Sequence, residues 1–356
     1  MKKRLTALLL TSALVLSLAA CGGGSSNTPA STAPEGSAPA ETENSTPDAT
    51  LTLKIGVSTN DEDPRNIAAQ QFADEIAEKT GGALTAQVYP AGQLGGDADL
   101  INSMALDSGT VDIIITDASN FATYDPKMGI SALPFQFADF EEAWAFMDSE
   151  VEAEAEAGLL DYNMRVLAHY CNGFRCVTNN KGPIETPDDM KGMLIRTPEN
   201  PVIMATMTAL GANPQPLAFS ELYQALNQGT YDAQENPIPV IYNNQLYEVQ
   251  DYLSVTNHIY SGMCFTIAES TWNKLSAEQQ EIVAAAAQAS ADYDREMNKA
   301  QSDELVATLE ESGMQINYPD LQPFADATAS VLTDNADDYG DLLDKLTAWK
   351  EAYAAG

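Results

Sequence analysis

Two arginines stand where a charged side chain is unexpected. Arg196 follows the apolar residues 193–195 and precedes Pro198 by two positions, and Arg175 lies in the run GFRCV. Both runs resemble buried strands, and a cation is costly to bury without a partner. Each arginine therefore either pairs with an internal carboxylate or faces a cleft. In a cleft, the planar guanidinium fork would hold an organic carboxylate through two hydrogen bonds.

The remaining charge of the chain narrows the choice of ligand. There are 17 basic residues against 52 acidic ones, a net charge of −35, so nucleic acid and anionic lipid are poor partners. A bound anion must be held by a few cations in a local pocket. Arg65 lies in a polar stretch and Arg295 among other charges, and we expect both on solvated surfaces. Arg165 precedes a predicted strand over residues 166–170.

Cysteine and histidine do not suggest an enzyme. Beyond the N-terminus there are three cysteines, an odd number that cannot all pair internally, and we expect them to be small buried side chains: Cys171, Cys176 and Cys264. A cysteine nucleophile would need His169 or His258, and nothing near Cys171 suggests a base. No Cys or His pair has zinc spacing, and residues 60–63 lack the pattern of a calcium loop. We therefore expect no catalysis, no metal and no cofactor.

The elements that must position the arginines alternate between strand and helix. Strands are predicted over residues 51–58, 83–89 and 111–116, and helices over 67–80 and 99–108. This order predicts an α/β fold with mostly parallel strands, and a length of 356 residues suits about two domains.

Helix signals in the second half are clearer. Thr186, Asn200 and Ser220 mark helix starts, and a glycine follows each predicted helix. Ser276 and Gln279 form a capping box, after which no Pro or Gly occurs until Gly313. We expect a helix from Ser276 to about residue 312 that spans two lobes. A coiled coil or two shorter helices are the alternatives, but the apolar spacing is too irregular for heptads.

The N-terminus is predicted to be an export signal. Residues 1–20 have a basic start and an apolar stretch too short to cross a bilayer. Residues 18–21, LAAC, resemble a bacterial lipobox, in which Cys21 would carry lipid after cleavage. An accidental cysteine behind an ordinary signal is the alternative. Residues 21–50 are rich in Ser, Thr, Pro and Gly and are predicted to be a lipidated flexible linker.

Three segments resemble the solute-binding proteins of TRAP (tripartite ATP-independent periplasmic) transporters, which import carboxylates. They are NGFRCVTNNKGPIETPDDMKGMLIRTPENP, LGANPQPLAFSELYQALNQGTYDAQENP and YEVQDYLSVTNHIYS. The resemblance runs from about residue 51 to 313. It implies a two-lobed periplasmic-binding-protein-like fold with a hinge and a long helix spanning both lobes. Lobe I would comprise residues 51–172 and about 262–302, and lobe II residues 173–261 and about 303–356.

The resemblance also assigns roles to individual residues. It implies that Arg196 makes a two-pronged salt bridge to the ligand carboxylate and that Arg175 adds a second contact. It implies a hydrogen bond from Asn236, in QENP, to the same carboxylate, and a place for Phe219 in the pocket wall.

The far end of the ligand is expected near the ends of the first strands. Ser58, Asp97 and Asp117 follow or end predicted strands, and the ends of parallel strands face the cleft in such folds. Acceptors there suit hydroxyl or amino groups and oppose a second carboxylate, so a sugar acid is favoured over a C4-dicarboxylate. Loop or helix capping is the alternative role for the two aspartates.

The expected function is therefore extracytoplasmic capture of a small organic acid. The protein would be lipid-anchored at Cys21 and would deliver its ligand to TRAP membrane subunits for ion-coupled uptake. The binding protein of an ATP-driven importer, the ligand-presenting subunit of a sensor system and a surface hydrolase remain alternatives. The sequence leaves the ligand and the oligomeric state open.

Overall fold

The computed structural model describes residues 50–334 and 336–355, and there strands and helices alternate as predicted. The predicted signal peptide, nearly all of the linker and Cys21 lie outside the described residues. The strands are β1 Leu51–Gly56, β2 Leu84–Tyr89, β3 Ile113–Asp117, β4 Met164–Asn179, β5 Leu194–Thr197, β6 Asn213–Pro216, β7 Ala233–Pro237, β8 Tyr252–Ala268 and β9 Gln315–Asn317.

Twelve α-helices lie within the same described residues. They are α1 Pro64–Lys79, α2 Asp97–Ala105, α3 Phe140–Met147, α4 Glu150–Glu156, α5 Pro201–Ala209, α6 Phe219–Asn227, α7 Ile238–Asn243, α8 Glu269–Trp272, α9 Ala277–Glu311, α10 Gln322–Asp334, α11 Ala336–Tyr339 and α12 Leu342–Ala355. None of these helices combines the length and the apolar character that crossing a bilayer requires.

The strands form one mixed sheet with two parallel groups. The strand order is β2-β1-β3-β8-β4-β7-β5-β6, with β9 paired to β8. The β1–β2 and β1–β3 pairs are parallel at one end, and the β5–β6 and β5–β7 pairs at the other. The long strands β4 and β8 run antiparallel to each other between the two groups. The arrangement is a two-lobed α/β fold in which β4 and β8 cross from one lobe to the other.

The pairing of the crossing strands is irregular near Gly173. One of three register shifts between β4 and β8 falls between Cys171 and Gly173, and Gly173 has φ +113, a conformation that residues with a side chain rarely adopt. A Cβ atom there would also lie 3.2 Å from Pro237. This irregularity lies at the predicted boundary between residues 172 and 173, two positions before Arg175.

The predicted long helix is α9, an unbroken helix of 35 residues. Ser276 accepts a hydrogen bond from the Gln279 amide, and the Gln279 side chain accepts one from the Ser276 amide, so the capping box is confirmed. At 1.5 Å per residue the helix is about 52 Å long. It packs on α1 and β4, and also on α7 of the other strand group. The helix therefore links the two lobes.

Shorter helices follow their predicted signals with one shift. Asn200 caps α5 through the amides of Val202 and Ile203, as expected. The predicted helix after Thr186 is a single 3-10 turn, Pro187–Met190. Helix α6 begins at Phe219, one residue before the predicted start at Ser220. Ala218 occupies its cap position and makes no side-chain hydrogen bond there. This shift places the Phe219 ring on the first turn of α6.

The C-terminal helices do not all pack against the same lobe. Helix α10 packs on α5, in the lobe that contains β5. Helix α12 packs on α4, and Lys345 on α12 forms an ion pair with Glu154 on α4. The predicted division assigned α12 and α4 to different lobes, and it stays a proposal.

Arg295 corrects the sequence expectation. It is 6% exposed on α9, not solvated, and donates two hydrogen bonds to Asp148, at 2.6 and 2.7 Å. Asp148 precedes Arg295 by 147 residues, a separation at which sequence gives no local sign of a pair.

Candidate functional site

The seven residues singled out by sequence line one enclosed space. It has a volume of about 40 Å³, and its walls include Ser58, Asp97, Asp117, Arg175, Arg196, Phe219 and Asn236. A cleft of about 380 Å³ shares Asp97, Arg196 and Phe219 with this space. The strands place these side chains together because β3 ends beside the crossing strands from one side, where Asp117 pairs with Met263, and β7, with its parallel neighbour β5, ends there from the opposite direction, where Pro237 pairs with Arg175. We call the enclosed space and the cleft together the arginine site.

Arg196 lies at the end of β5, flanked by β7 and β6, and is 2% exposed. Its Nε and Nη2 donate to the carbonyl oxygen of Leu217, at 2.9 and 2.6 Å, and its guanidinium lies over the Phe219 ring at 5.7 Å. Within the described residues, no acidic side chain forms an ion pair with it. Burial lowers its pKa to about 10, so it remains a cation at neutral pH. Arg196 is thus a buried positive charge with hydrogen-bonding capacity left over.

Arg175 has a different environment. Its Nε and Nη2 both donate to the carboxylate of Glu235, which is fully buried, and Nη2 also reaches the Glu235 carbonyl at 2.9 Å. The pKa of Glu235 is lowered because Arg175, with help from His258, outweighs the opposing effect of burial. The internal ion pair left open by the sequence is therefore present for Arg175. Its Nη1 carries a 3.3 Å hydrogen bond to Ser261 and faces the enclosed space.

His258 completes a buried group around Glu235. Its Nε2 lies 3.4 Å from a Glu235 carboxylate oxygen, and its Nδ1 is 2.8 Å from the Thr256 hydroxyl. Burial lowers the pKa of His258 below its usual value, although Glu235 opposes the shift. Arg175 and Glu235 carry opposite charges, so this pair is balanced without a ligand.

Asn236 is held by its neighbours on both ends of its amide. Its Oδ1 accepts from Arg175 at 3.2 Å, and its Nδ2 donates to Gln234 at 2.6 Å. Gln234 in turn donates to Thr178 on β4. An amide nitrogen carries two hydrogens, so one N–H of Asn236 is left for the site.

Asp97 and Ser58 form the opposite wall. Ser58 donates to Asp97 Oδ2 at 3.1 Å, and Asp97 opens α2, where negative charge is favoured by the helix dipole. Its second oxygen, Oδ1, is buried without a hydrogen-bond partner among the described side chains and backbone. Burial raises the pKa of Asp97, although Arg65 and nearby hydroxyls oppose the shift. Asp97 therefore offers a free acceptor to a hydroxyl group.

Asp117 is engaged by the protein itself. Its Oδ1 accepts from the backbone amide and the hydroxyl of Ser119, and its Oδ2 accepts from Ser261. It caps the 3-10 helix Ala118–Thr123, which is the alternative role left open by the sequence. Asp117 still lines the enclosed space, where it fixes the neighbouring hydroxyl groups.

Arg65 was expected on a solvated surface, and the structure shows that this expectation was wrong. It is 6% exposed, not solvated, and lines the enclosed space. Its Nε donates to Asp63 at 2.9 Å and its Nη2 to Asn172 at 2.5 Å. The available signal was the Asp63-Pro64 start of α1, which fixes the first turn of that helix at the end of β1. A third buried arginine therefore lines the site, and its charge is paired with that of Asp63.

Comparison with known proteins decides the family. The sequence profile of the bacterial extracellular solute-binding proteins, family 7, matches residues 55–338. The chain belongs to this family.

Relatives of this family 7 protein agree in sequence and fold. The 2,3-diketo-L-gulonate-binding periplasmic protein YiaO of Escherichia coli is 34% identical over 287 residues, which cover 80% of this chain and 87% of YiaO. A TRAP periplasmic solute-binding protein of Polaromonas sp. JS666, bound to D-erythronate, superposes with a TM-score of 0.80 at 33% identity, over 84% of this chain and 97% of that one. A succinate-bound TRAP protein of Sulfurospirillum deleyianum has a TM-score of 0.80 at 29% identity, over 84% and 99% of the two chains.

The predicted family and fold are thereby confirmed, whereas the lipoprotein form stays a prediction. The protein is a solute-binding protein of the TRAP type, and its fold is the two-lobed α/β fold of that group. The two-pronged role expected of Arg196 and the contacts expected of the other six residues remain predictions.

Proposed function

We propose that this protein binds a hydroxylated monocarboxylate of the sugar-acid class, with the ligand carboxylate on Arg196, and presents it to TRAP membrane subunits. The observation that carries the proposal is the state of Arg196. It is buried and charged, and it lies against the cleft without an acidic partner among the described residues. A buried cation left in this state is costly, and a bound carboxylate removes the cost.

The hydrogen-bonding geometry supports a two-pronged grip. A guanidinium has five N–H groups, and two of those of Arg196 are directed at Leu217. The remaining three suffice for two parallel bonds to one carboxylate. Asn236 and Arg175 line the same space; Asn236 Nδ2 has one N–H beyond its bond to Gln234, and Arg175 Nη1 has one beyond its bond to Ser261. The ligand carboxylate would therefore meet donors from β4, β5 and β7 together.

The opposite wall supports hydroxyl groups rather than a second carboxylate. Asp97 has an unpaired buried oxygen, and Ser58 and Asp117 present further oxygens to the same space. A second ligand carboxylate there would face two aspartates across a short distance. YiaO is named for a sugar acid and the Polaromonas protein holds one, which agrees with this choice. The succinate-bound protein makes a C4-dicarboxylate the competing ligand class.

Movement of the lobes is part of the proposal. The space lined by all seven residues has a volume of only about 40 Å³, whereas the adjoining cleft of about 380 Å³ lies within the ~300–1,000 Å³ usual for small-molecule sites. We propose a hinge in β4 and β8 at the register shift beside Gly173, with residues 51–172 and about 262–302 moving against the rest. Closure would then bring Asp97 and Arg196 together around the ligand.

The proposal includes the route to the membrane. Residues 1–20 would direct export, and lipid on Cys21 would hold the protein at the outer face of the cell membrane or on its periplasmic side. The acidic linker and domain would stay in the aqueous phase, within reach of the transporter.

A thermal-shift screen tests the ligand class. Sugar acids, C4-dicarboxylates and neutral polyols are compared with the same protein and buffer. A ligand at 100 times its Kd stabilises by about 2.7 kcal/mol, which is readily detected as a higher Tm. We expect sugar acids to raise Tm and polyols to leave it unchanged. A response to dicarboxylates alone would overturn the sugar-acid assignment, and a response to polyols would overturn the carboxylate grip.

A further inference from the structure

A second cluster of polar side chains lies where β4 and β8 pair, in the part of these strands that belongs to the first lobe. His169 on β4 and Cys264 on β8 are direct partners in the antiparallel register. Residues opposite each other in such a pair place their side chains on the same face, about 5 Å apart. Glu156, the last residue of α4, joins them from above: its Oε1 is 2.5 Å from His169 Nε2 and 3.8 Å from Cys264 Sγ.

From this geometry we infer a binding site for a divalent transition metal ion, with Zn²⁺ as the fitting ion. Its ligands would be Glu156, His169 and Cys264, whose ligand atoms all lie within 4.8 Å of one another. Nitrogen, sulfur and oxygen in one small site is the donor mixture of zinc centres, and it is foreign to calcium or magnesium.

A second buried carboxylate lies on the same helix. Glu152 precedes Glu156 by one helical turn and so lies on the same face of α4. It is fully buried, its Oε2 has no hydrogen-bond partner within the described part of the chain, and its Oε1 is held at 3.3 Å by Ser131. Glu152 is not one of the three side chains whose ligand atoms lie within 4.8 Å of one another, so the fourth position that zinc requires would be taken by water or by Glu152 after its side chain rotates.

The surroundings orient the histidine as zinc sites do. His169 Nδ1 lies 3.3 Å from Asp148, and Asp148 is fixed by two hydrogen bonds from Arg295. A histidine that ligates through one nitrogen usually donates the other N–H to a carboxylate, which sets its tautomer and its ring plane. Arg295, Asp148 and His169 form such a chain, and it leaves Nε2 directed at Glu156.

The charged side chains around this cluster and its exposure to solvent are both compatible with a bound metal ion. Glu152, Glu156 and Asp148 gather around one imidazole and one thiol, and Arg295 is the nearest further cation. The side chains of His169 and Glu156 are each 13% exposed, so an ion can reach them from solvent. No zinc spacing is visible along the chain because the three donors come from α4, β4 and β8.

Cobalt spectroscopy tests the site directly. Co²⁺ takes the place of Zn²⁺ and shows a thiolate charge-transfer band when cysteine ligates it. The exported protein is freed of metal with a chelator and titrated with Co²⁺, alone and in competition with Zn²⁺. We expect one equivalent to bind with a thiolate band, and Zn²⁺ to abolish the band. Absence of stoichiometric uptake, or uptake without the band, would overturn the site.

Matched variants identify the ligands. Cys264→Ser should remove the thiolate band, whereas Cys176→Ser, a change at another fully buried cysteine, should keep it. Glu156→Gln should weaken Co²⁺ binding at least tenfold, which covers the case in which Cys264→Ser fails to melt cooperatively. A band that persists in Cys264→Ser or disappears in Cys176→Ser would place the thiolate elsewhere and refute the assignment. The outcome is independent of organic-acid binding, because Arg196 is untouched.

Discussion

Two substitutions of Arg196 distinguish the contribution of its positive charge from that of its planar guanidinium. Arg196→Lys keeps a cation but loses the planar fork, whereas Arg196→Ala removes both. Two of the five N–H groups are directed at Leu217, and the other three can hold a carboxylate. Hydrogen bonds to charged groups contribute about 1.5–3 kcal/mol each, so the two-pronged grip amounts to roughly 3–6 kcal/mol.

These magnitudes give distinct expectations for the two variants. Lysine loses about one bond, and binding should weaken roughly ten- to a hundredfold. Alanine loses both, and binding should weaken by roughly a hundred- to ten-thousandfold. The assay is calorimetric titration with the acid found by thermal shift. Arg165→Lys is the matched control, because Arg165 pairs with Glu269 away from the arginine site and its variant should bind normally.

One result would refute this reasoning. If Arg196→Ala melts cooperatively and binds the acid as tightly as the wild type, Arg196 does not hold the carboxylate. If Arg196→Ala does not fold while Arg165→Lys does, the role of Arg196 is structural and the grip must be assigned to other donors.

Four further changes have defined outcomes. Arg175→Ala leaves Glu235 charged and buried, so chemical denaturation should show about 3–5 kcal/mol less stability, with Glu235→Gln partly restoring it in the double variant. The pKa of Asp97 is higher in the folded than in the unfolded protein, so ionisation of this carboxyl lowers the stability of the fold as pH rises. The Asp97→Asn variant should therefore have a higher Tm than the wild type at pH 7, and the difference in Tm should close below about pH 4. The same variant should bind the acid more weakly. Ser276→Ala should cost about 1 kcal/mol of unfolding free energy, since it removes the cap of α9. Cys21→Ala should abolish incorporation of radiolabelled palmitate in cells, and labelling of this variant would disprove the lipid anchor.

The sequence predicted the elements where local signals are strong. The boundaries of α9 follow from its capping box and from the absence of proline and glycine, and the end of β5 follows from Pro198. Four residues of the arginine site, Arg175, Arg196, Phe219 and Asn236, were predicted through the family resemblance. The other three, Ser58, Asp97 and Asp117, were predicted from their positions after or at the ends of strands. That they share one space is a property of the sheet order, which places β7 between β4 and β5.

The missed features depend on contacts that are distant in sequence. Arg65 is buried because Asn172, 107 residues away, accepts its hydrogen bond. Glu235 is one of 52 acidic residues, and no local pattern marks it as the partner of Arg175. The cluster of Glu156, His169 and Cys264 exists because the β4–β8 register aligns two residues from strands far apart in the chain. Local propensity carries no information on such pairs.

A crystal structure of the protein with the acid selected by the screen tests the central claim most directly. We predict closed lobes, with both carboxylate oxygens of the ligand about 2.7–3.2 Å from nitrogens of Arg196. We also predict a ligand hydroxyl donating to Asp97, and an intact pair between Arg175 and Glu235. A carboxylate bound at Asp97 and Ser58, or one held by Arg175 after it has left Glu235, would contradict the account.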